Sequence, residues 1–185
     1  MDKLIATTPL GGLSATFSGT ALAEVTDLAL VSLACPLGGE AALDTALADG
    51  LSLSRPAAGG SIQKDGQRLI WTTPDQMLLA FEHDGPDAAA VIAGKLGEAA
   101  YLTDQTDNWC ALSLNGPLAR AALERICPVD LHPDAFAENA AARTVMEHMG
   151  AIIVRTGPDE FLLLSASSSA GSFLHAVETS LKNVS

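Results

Sequence analysis

The chain has 185 residues, 48% of them hydrophobic, with a formal net charge of −12 and a mean hydropathy of +0.27. That length suits one domain, or two tightly joined halves, and the apolar content excludes a disordered chain. The acidic balance excludes a nucleic-acid partner, which needs clustered Lys and Arg, and disfavours an anionic membrane surface.

No apolar run approaches the roughly 18 residues that a membrane-spanning helix needs. The opening, Met1-Asp-Lys-Leu-Ile-Ala-Thr-Thr-Pro9, lacks the basic-then-apolar pattern of a secretory signal, so a cytoplasmic location is expected. The first twenty residues read as an N-terminal extension and 21–185 as a single domain. Asp27 to Ala34 reads as a strand, and Gly39 to Ala48 as a short helix that turns Leu43 and Leu47 to the core. Arg55-Pro-Ala-Ala-Gly-Gly-Ser61 reads as a loop. A hairpin follows, Arg68 to Thr72 and Gln76 to Phe81, turning at Thr73-Pro74-Asp75, where proline pre-sets φ and Asp accepts local hydrogen bonds. Pro86 opens a helix with the stripe Ala88, Ile92 and Leu96.

Thr103-Asp-Gln-Thr-Asp-Asn108 is the densest polar cluster and reads as a connection between halves. Beyond it, Trp109 to Leu114 alternates, with Cys110, Leu112 and Leu114 on one face. A helix from Pro117 to Cys127 buries Ala119, Ala122, Leu123 and Ile126, and places Arg120 and Glu124 as an i, i+4 pair. Strands are expected near Arg143 to Met146, Ala151 to Arg155 and Glu160 to Ser165. The last helix, Ser169 to Lys182, stacks Phe173, Val177 and Leu181 and turns His175 outward.

The chain repeats itself. Leu69-Ile-Trp-Thr-Thr-Pro-Asp-Gln-Met-Leu-Leu-Ala-Phe81 is echoed by Ile152-Ile-Val-Arg-Thr-Gly-Pro-Asp-Glu-Phe-Leu-Leu-Leu164, with Pro74 and Pro158 lying 84 positions apart. Cys35-Pro-Leu-Gly-Gly-Glu-Ala-Ala-Leu-Asp44 matches Gly116-Pro-Leu-Ala-Arg-Ala-Ala-Leu-Glu124 at a separation of 80 to 81. Solenoid units run roughly 20 to 50 residues, so this period describes two half-domains that share a core. The fold class is α+β: two related strand-helix-strand-strand-helix halves, about 24–99 and 100–182, packed as one domain. Met77-Leu-Leu-Ala-Phe81 and Phe161-Leu-Leu-Leu164 do not alternate, so both faces of those strands need a cover, from helices on one side and from the other half or a partner chain on the second.

Catalytic chemistry has little to stand on. The histidines His83, His132, His148 and His175 form no His-x-x-x-His or His-Glu-x-x-His pattern, and Cys35, Cys110 and Cys127 form no Cys-x-x-Cys, so no metal site is expected. Each cysteine lies in or beside an apolar segment and reads as a small hydrophobe. His132-Pro-Asp134 and Glu147-His148 read as local hydrogen-bonding pairs, and the Ser165–Ser169 run as a serine-rich N-cap. No nucleotide-binding loop or nucleophile elbow is present, and no catalytic residue is assigned. The candidate interface or ligand contacts are Asp104, Gln105, Asp107, Asn108, Arg143 and His148. Arg143, set between Ala142 and Thr144 in a largely apolar strand, is expected to find a carboxylate within the protein or across an interface.

Trp71-Thr-Thr-Pro-Asp-Gln-Met-Leu-Leu79, Leu102-Thr-Asp-Gln-Thr-Asp-Asn-Trp109, the stretch from Asn115 to Phe136 and Ala142-Arg-Thr-Val-Met-Glu-His-Met-Gly-Ala-Ile-Ile153 together resemble the gamma subunits of heterotetrameric sarcosine oxidase. The likeness runs from about Ala21 to Leu181 and leaves out the first twenty residues and the Arg55 to Gln67 loop. It implies a fold similar to the aminomethyltransferase (glycine-cleavage T protein) folate-binding domain. It also implies a non-catalytic subunit docked on alpha, beta and delta subunits, in a complex that oxidatively demethylates sarcosine to glycine. That reaction releases hydrogen peroxide, with the one-carbon unit leaving as formaldehyde or captured on tetrahydrofolate. The resemblance places FAD, FMN, NAD, zinc and tetrahydrofolate on the partner subunits, and none of them on this chain. The interface is expected to draw on Arg143, the Asp104 to Asn108 cluster and the doubly apolar strands. The alternative from a different class is a stand-alone folate-binding or one-carbon-transfer domain, with Asp104 or Asp107 against a pterin.

Overall fold

The computed structural model describes residues 7–185. Two antiparallel sheets pack face to face, with two helices on the outer side of each. The five-stranded sheet has the order β4(Ser61–Lys64), β5(Gln67–Thr73), β6(Gln76–Glu82), β3(Leu28–Ala34), β7(Tyr101–Asp104). The six-stranded sheet runs β1(Ser14–Phe17), β2(Thr20–Glu24), β8(Trp109–Asn115), β11(Glu160–Ala166), β10(Met149–Gly157), β9(Ala141–Met146).

The non-alternating strands explain this layering. On β6, Met77, Leu79 and Phe81 point outward to α1(Glu40–Leu51) and α2(Ala88–Leu96), burying Leu43, Leu47, Ile92 and Leu96 beneath the helices. Leu78 and Ala80 point the other way and meet Ile152, Val154 and Leu164 of the second sheet. Phe161 and Leu163 of β11 pack on α3(Ala119–Ile126) and α4(Ala170–Val184), with Leu123, Phe173, Val177 and Leu181. Each apolar strand is therefore covered on both faces by this chain itself. The expectation that these strands help to dock a partner is corrected: their side chains are spent on the internal core.

Each half runs strand, helix, three strands, helix. The three strands after α3 stand where they were expected, and the first half gains one strand. The added strand in the first half is β4, which begins at Ser61, where composition reads as loop. Its pairing with β5 and the Gly60–Ala140 bridge to the other sheet supply the order that a Gly-Gly pair does not announce. Helix α1 continues three residues past Ala48, because Leu51 still reaches the core, and ends on Ser52 in the left-handed region.

A pseudo-twofold relationship ties the halves together through exchanged strands. β2 precedes the first half, yet pairs with β8 of the second (Leu22 opposite Leu114). β7 opens the second half, yet pairs with β3 of the first (Leu33 opposite Leu102). The crossover residues repeat one hydrogen bond: the Val25 amide donates to Ala111 O at 2.9 Å, and the Gln105 amide donates to Leu30 O at 2.8 Å. Thr103-Asp104, read from sequence as connection, thus closes a strand. The segment read as an extension supplies β1, whose Phe17 packs on the α3–α4 core.

Close approach fixes the crossing between β2 and α3. Gly116 takes φ +137°, and a Cβ there would lie 2.7 Å from Gly19 O and Thr20 Cα. Thr20, fully buried, accepts the Leu118 amide on its hydroxyl at 2.9 Å and so satisfies one of the free donors at the start of α3.

Candidate functional site

The inner face of the five-stranded sheet changes character along its strands. Leu30, Ile70, Leu78 and Ala80 belong to the inter-sheet core. Beyond them, the same region presents Ser32, Thr72, Gln76 and Thr103. Opposite stands β9, an edge strand on which Ala141 is buried while Arg143 and Val145 are exposed. Arg143 lies opposite Ile152 of the inter-sheet core, so it belongs to the inner face of its sheet at the point where the core ends. The result is an open cleft of about 310 Å³, with Arg143, Gln105 and Trp109 among its walls.

Arg143 contributes the only charged side chain lining this cleft among the described residues. Among the described residues it takes part in no ion pair, so of the two expected places for a carboxylate partner, within the protein or across an interface, the first is not filled. Its neighbours are equally underused. The Trp109 indole N–H is buried and has no hydrogen-bond partner among the described residues. Gln105 accepts from Asn108 Nδ2 at 2.7 Å, which leaves its own amide NH₂ group available. Arg143 and Gln105 thus hold free donors among the residues that line the cleft, while the Trp109 N–H is enclosed within its wall.

The structure separates the other predicted residues. Asp104 is exposed and accepts the Thr106 amide at 3.0 Å, an Asx turn that shapes the crossover. Asp107 lies on the far side of Trp109, in a larger hollow of about 820 Å³ that also touches Glu24, His83 and Thr106. There the Asp107 carbonyl accepts from Ser167 Oγ at 2.8 Å. Asn108 is exposed and acts through Gln105. His148 sits alone in the β9–β10 turn at φ +72°, remote in role from the rest. The His132–Asp134 pair is exposed at 3.5 Å, and Ser169 occupies the N-cap position of α4 but turns its hydroxyl to Ala166 O, so it makes no cap bond.

Sequence reasoning passes over the buried charged groups. Arg155 of β10 donates to Gly157 O, Phe136 O and Pro158 O at 3.1, 2.8 and 2.6 Å, wholly to backbone. Arg68 of β5 donates to Ser61 Oγ and Asn139 Oδ1, each at 2.8 Å, and to Gln63 Oε1. Burial pushes the Arg68 guanidinium down from its ordinary value, with Glu138 opposing the shift. Glu24 accepts from Thr8 Oγ1 and from the amides of Leu10 and Gly12, and so fastens the segment before β1. All three stand in apolar contexts beside unremarkable neighbours, and only their presence inside otherwise apolar strands could have marked them. Burial, then Glu24, pushes the Cys110 thiol up to about 11, and burial raises Cys127 and Cys35, which disfavours the thiolate at each.

No family model matches the chain. A solved glycine cleavage system aminomethyltransferase T from Bartonella henselae superposes with a TM-score of 0.65 at 14% identity, over 93% of this chain and 56% of that one. That likeness defines the class: a duplicated two-sheet fold of the aminomethyltransferase type. A chain of heterotetrameric sarcosine oxidase from Corynebacterium sp. U-96, solved in complex with pyrrole 2-carboxylate, superposes with a TM-score of 0.78 at 30% identity, covering 91% of this chain and 87% of that one. The sarcosine oxidase subunit gamma of Corynebacterium sp. (strain P-1) is 35% identical over 132 residues, which are 71% of this chain and 64% of the relative. The chain spans about three fifths of the length of the curated relatives it matches, 61% in the Arthrobacter sp. protein at 32% identity. It belongs to the family of sarcosine oxidase gamma subunits. Among the described residues, no helix is long and apolar enough to cross a membrane.

Proposed function

We propose that this chain is the gamma subunit of a heterotetrameric sarcosine oxidase, an assembly and stabilising subunit held by alpha, beta and delta partners. The complex oxidatively demethylates sarcosine to glycine, releasing hydrogen peroxide and formaldehyde or methylene-tetrahydrofolate. FAD, FMN, NAD, zinc and the folate reside on the partners. The observation that carries this reading is the 30% identity over nine tenths of the chain to a subunit of the Corynebacterium complex, at a TM-score of 0.78. The kinship with aminomethyltransferase supports the fold alone, since the same architecture hosts unrelated functions.

The physical role follows from how the core is spent. Both sheets are sealed by helices outside and by each other inside, so among the described residues no broad apolar sheet face is left for a partner. Docking instead falls to edges, the cleft and isolated apolar side chains such as Leu37, Tyr101 and Val145, all strongly exposed. Such a surface suits a subunit that orders and locks its neighbours. Coexpression of a tagged form with alpha, beta and delta subunits tests the proposal. A yellow eluate with sarcosine-dependent peroxide formation is expected, and omission of this chain lowers the yield or stability of that complex. Recovery of the tagged chain alone and colourless overturns the reading, and a parallel titration of that chain with tetrahydrofolate then tests the one-carbon domain.

A further inference from the structure

We infer that the cleft at Arg143 receives an aspartate or glutamate side chain of the subunit docked over it, an inference that rests on the subunit role just proposed. Two features converge, the state of Arg143 and that of its neighbours in the lining. The cleft carries one charge, and it is a cation, within a chain whose net charge is −12. Arg143 is exposed and makes no ion pair among the described residues. Gln105, in the same lining, has a spare amide NH₂ group, and the aromatic ring of Trp109 forms part of the wall. Every unsatisfied group named here is a donor, and a carboxylate is the side chain that supplies acceptors alone.

The form of the cleft favours a side chain carried by a protein surface. Val145 lies two residues along the same face of β9 and is 49% exposed. Tyr101 lies two residues from Thr103 on β7 and is 70% exposed. An arginine set among apolar and aromatic residues is the usual composition of an energetic centre at an interface, where the surrounding contacts exclude water. Guanidinium and carboxylate pair through two parallel hydrogen bonds, which Lys cannot reproduce. The pair fixes the register of docking as well as adding affinity.

Affinity of the tagged chain for the remaining coexpressed subunits, measured for wild type, Arg143→Gln, Arg143→Lys and Arg120→Gln, tests this. Arg143→Gln is expected to weaken assembly at least about tenfold and to lessen its sensitivity to salt, because a desolvated charge pair is lost. Arg143→Lys falls between. Arg120→Gln, on the outer face of α3 in a pair with Glu124, leaves assembly unchanged. Arg143 is exposed, so its variants keep the fold, which circular dichroism checks. Wild-type assembly with Arg143→Gln equally tight overturns this inference and leaves the subunit role standing. Failure of the wild-type chain to assemble overturns both.

Discussion

Arg68 donates from its guanidinium to the side-chain oxygen of Asn139, 2.8 Å away, and so joins the five-stranded sheet to the loop that leads into β9. The neighbouring backbone repeats the join: Ser61 N donates to Asn139 O at 2.7 Å and Ala141 N donates to Gly59 O at 2.8 Å. Asn139 holds φ +66°, a conformation that Asn tolerates better than most residues. Asn139→Ala removes the acceptor from a buried cation and strains the backbone as well. The expected loss is about 2–4 kcal/mol of unfolding free energy, read from urea denaturation. Asn139→Asp keeps the acceptor and adds a charge opposite to that of Arg68. It is expected to hold or raise stability at neutral pH and to lose that gain as acid protonates the new carboxylate.

Gly50 gives a substitution whose sign is reversed by packing. In an exposed helix interior, Gly→Ala stabilises by up to about 1 kcal/mol. At Gly50 a Cβ would stand 2.5 Å from the Lys95 carbonyl oxygen, where α2 crosses α1. Gly50→Ala is therefore expected to lower the melting temperature, whereas Gly94→Ala, with nothing within 4 Å, is expected to raise it. Equal effects at the two sites in calorimetry would refute the close approach of the helices.

Cys110 predicts an alkaline limit to stability. Its thiol ionises near 9 in an unfolded chain and near 11 in the folded one, because burial disfavours the thiolate and Glu24 repels it. The folded state thus holds the proton more tightly, so the contribution is complete below pH 9 and is lost as pH rises toward 11. The loss attributable to Cys110 is on the order of 2 kcal/mol. Cys110→Ala, compared with wild type by denaturation at pH 8 and pH 10.5, is expected to show the smaller drop.

The exchanged strands predict that the chain cannot be cut into working halves. A fragment ending at Ala99 lacks β7, and a fragment beginning at Ala100 lacks β2. Each alone exposes an unpaired strand edge beside an apolar core and is expected to aggregate. Coexpressed, the two supply each other's missing strand and are expected to elute together in size-exclusion chromatography. A monomeric, folded single fragment would contradict the pairing of β2 with β8.

The repeat was legible because duplicated turns leave duplicated letters: Pro74-Asp75 and Pro158-Asp159 both close hairpins. Helix stripes were legible for the same local reason, and Ala88, Ile92, Leu96, Phe173, Val177 and Leu181 are all buried. The strand exchange was not legible. Leu22 and Leu102 look alike in sequence, and nothing local tells a strand which of two similar sheets it will join. Arg143 was singled out by its strand context, and Gln105 by its polar cluster, yet their meeting in one cleft depends on that same pairing of sheets. Arg68, Arg155 and Glu24 escaped notice because their partners are mainly backbone groups and neutral side chains, which carry no charge signature along the chain.

The exchange also sets an order of events at the ribosome. Ser113 of β8 reaches back across 90 positions to donate to Ala23 O, beside the fully buried Leu22. Strand β2, paired early with β1, must therefore wait for about 90 further residues before its second neighbour, β8, exists. At roughly 5–20 residues per second that interval lasts several seconds, during which β2 is exposed to other nascent chains. The chain's need for early shelter, by chaperones or by prompt completion, is thus written into which sheet its first paired strands join.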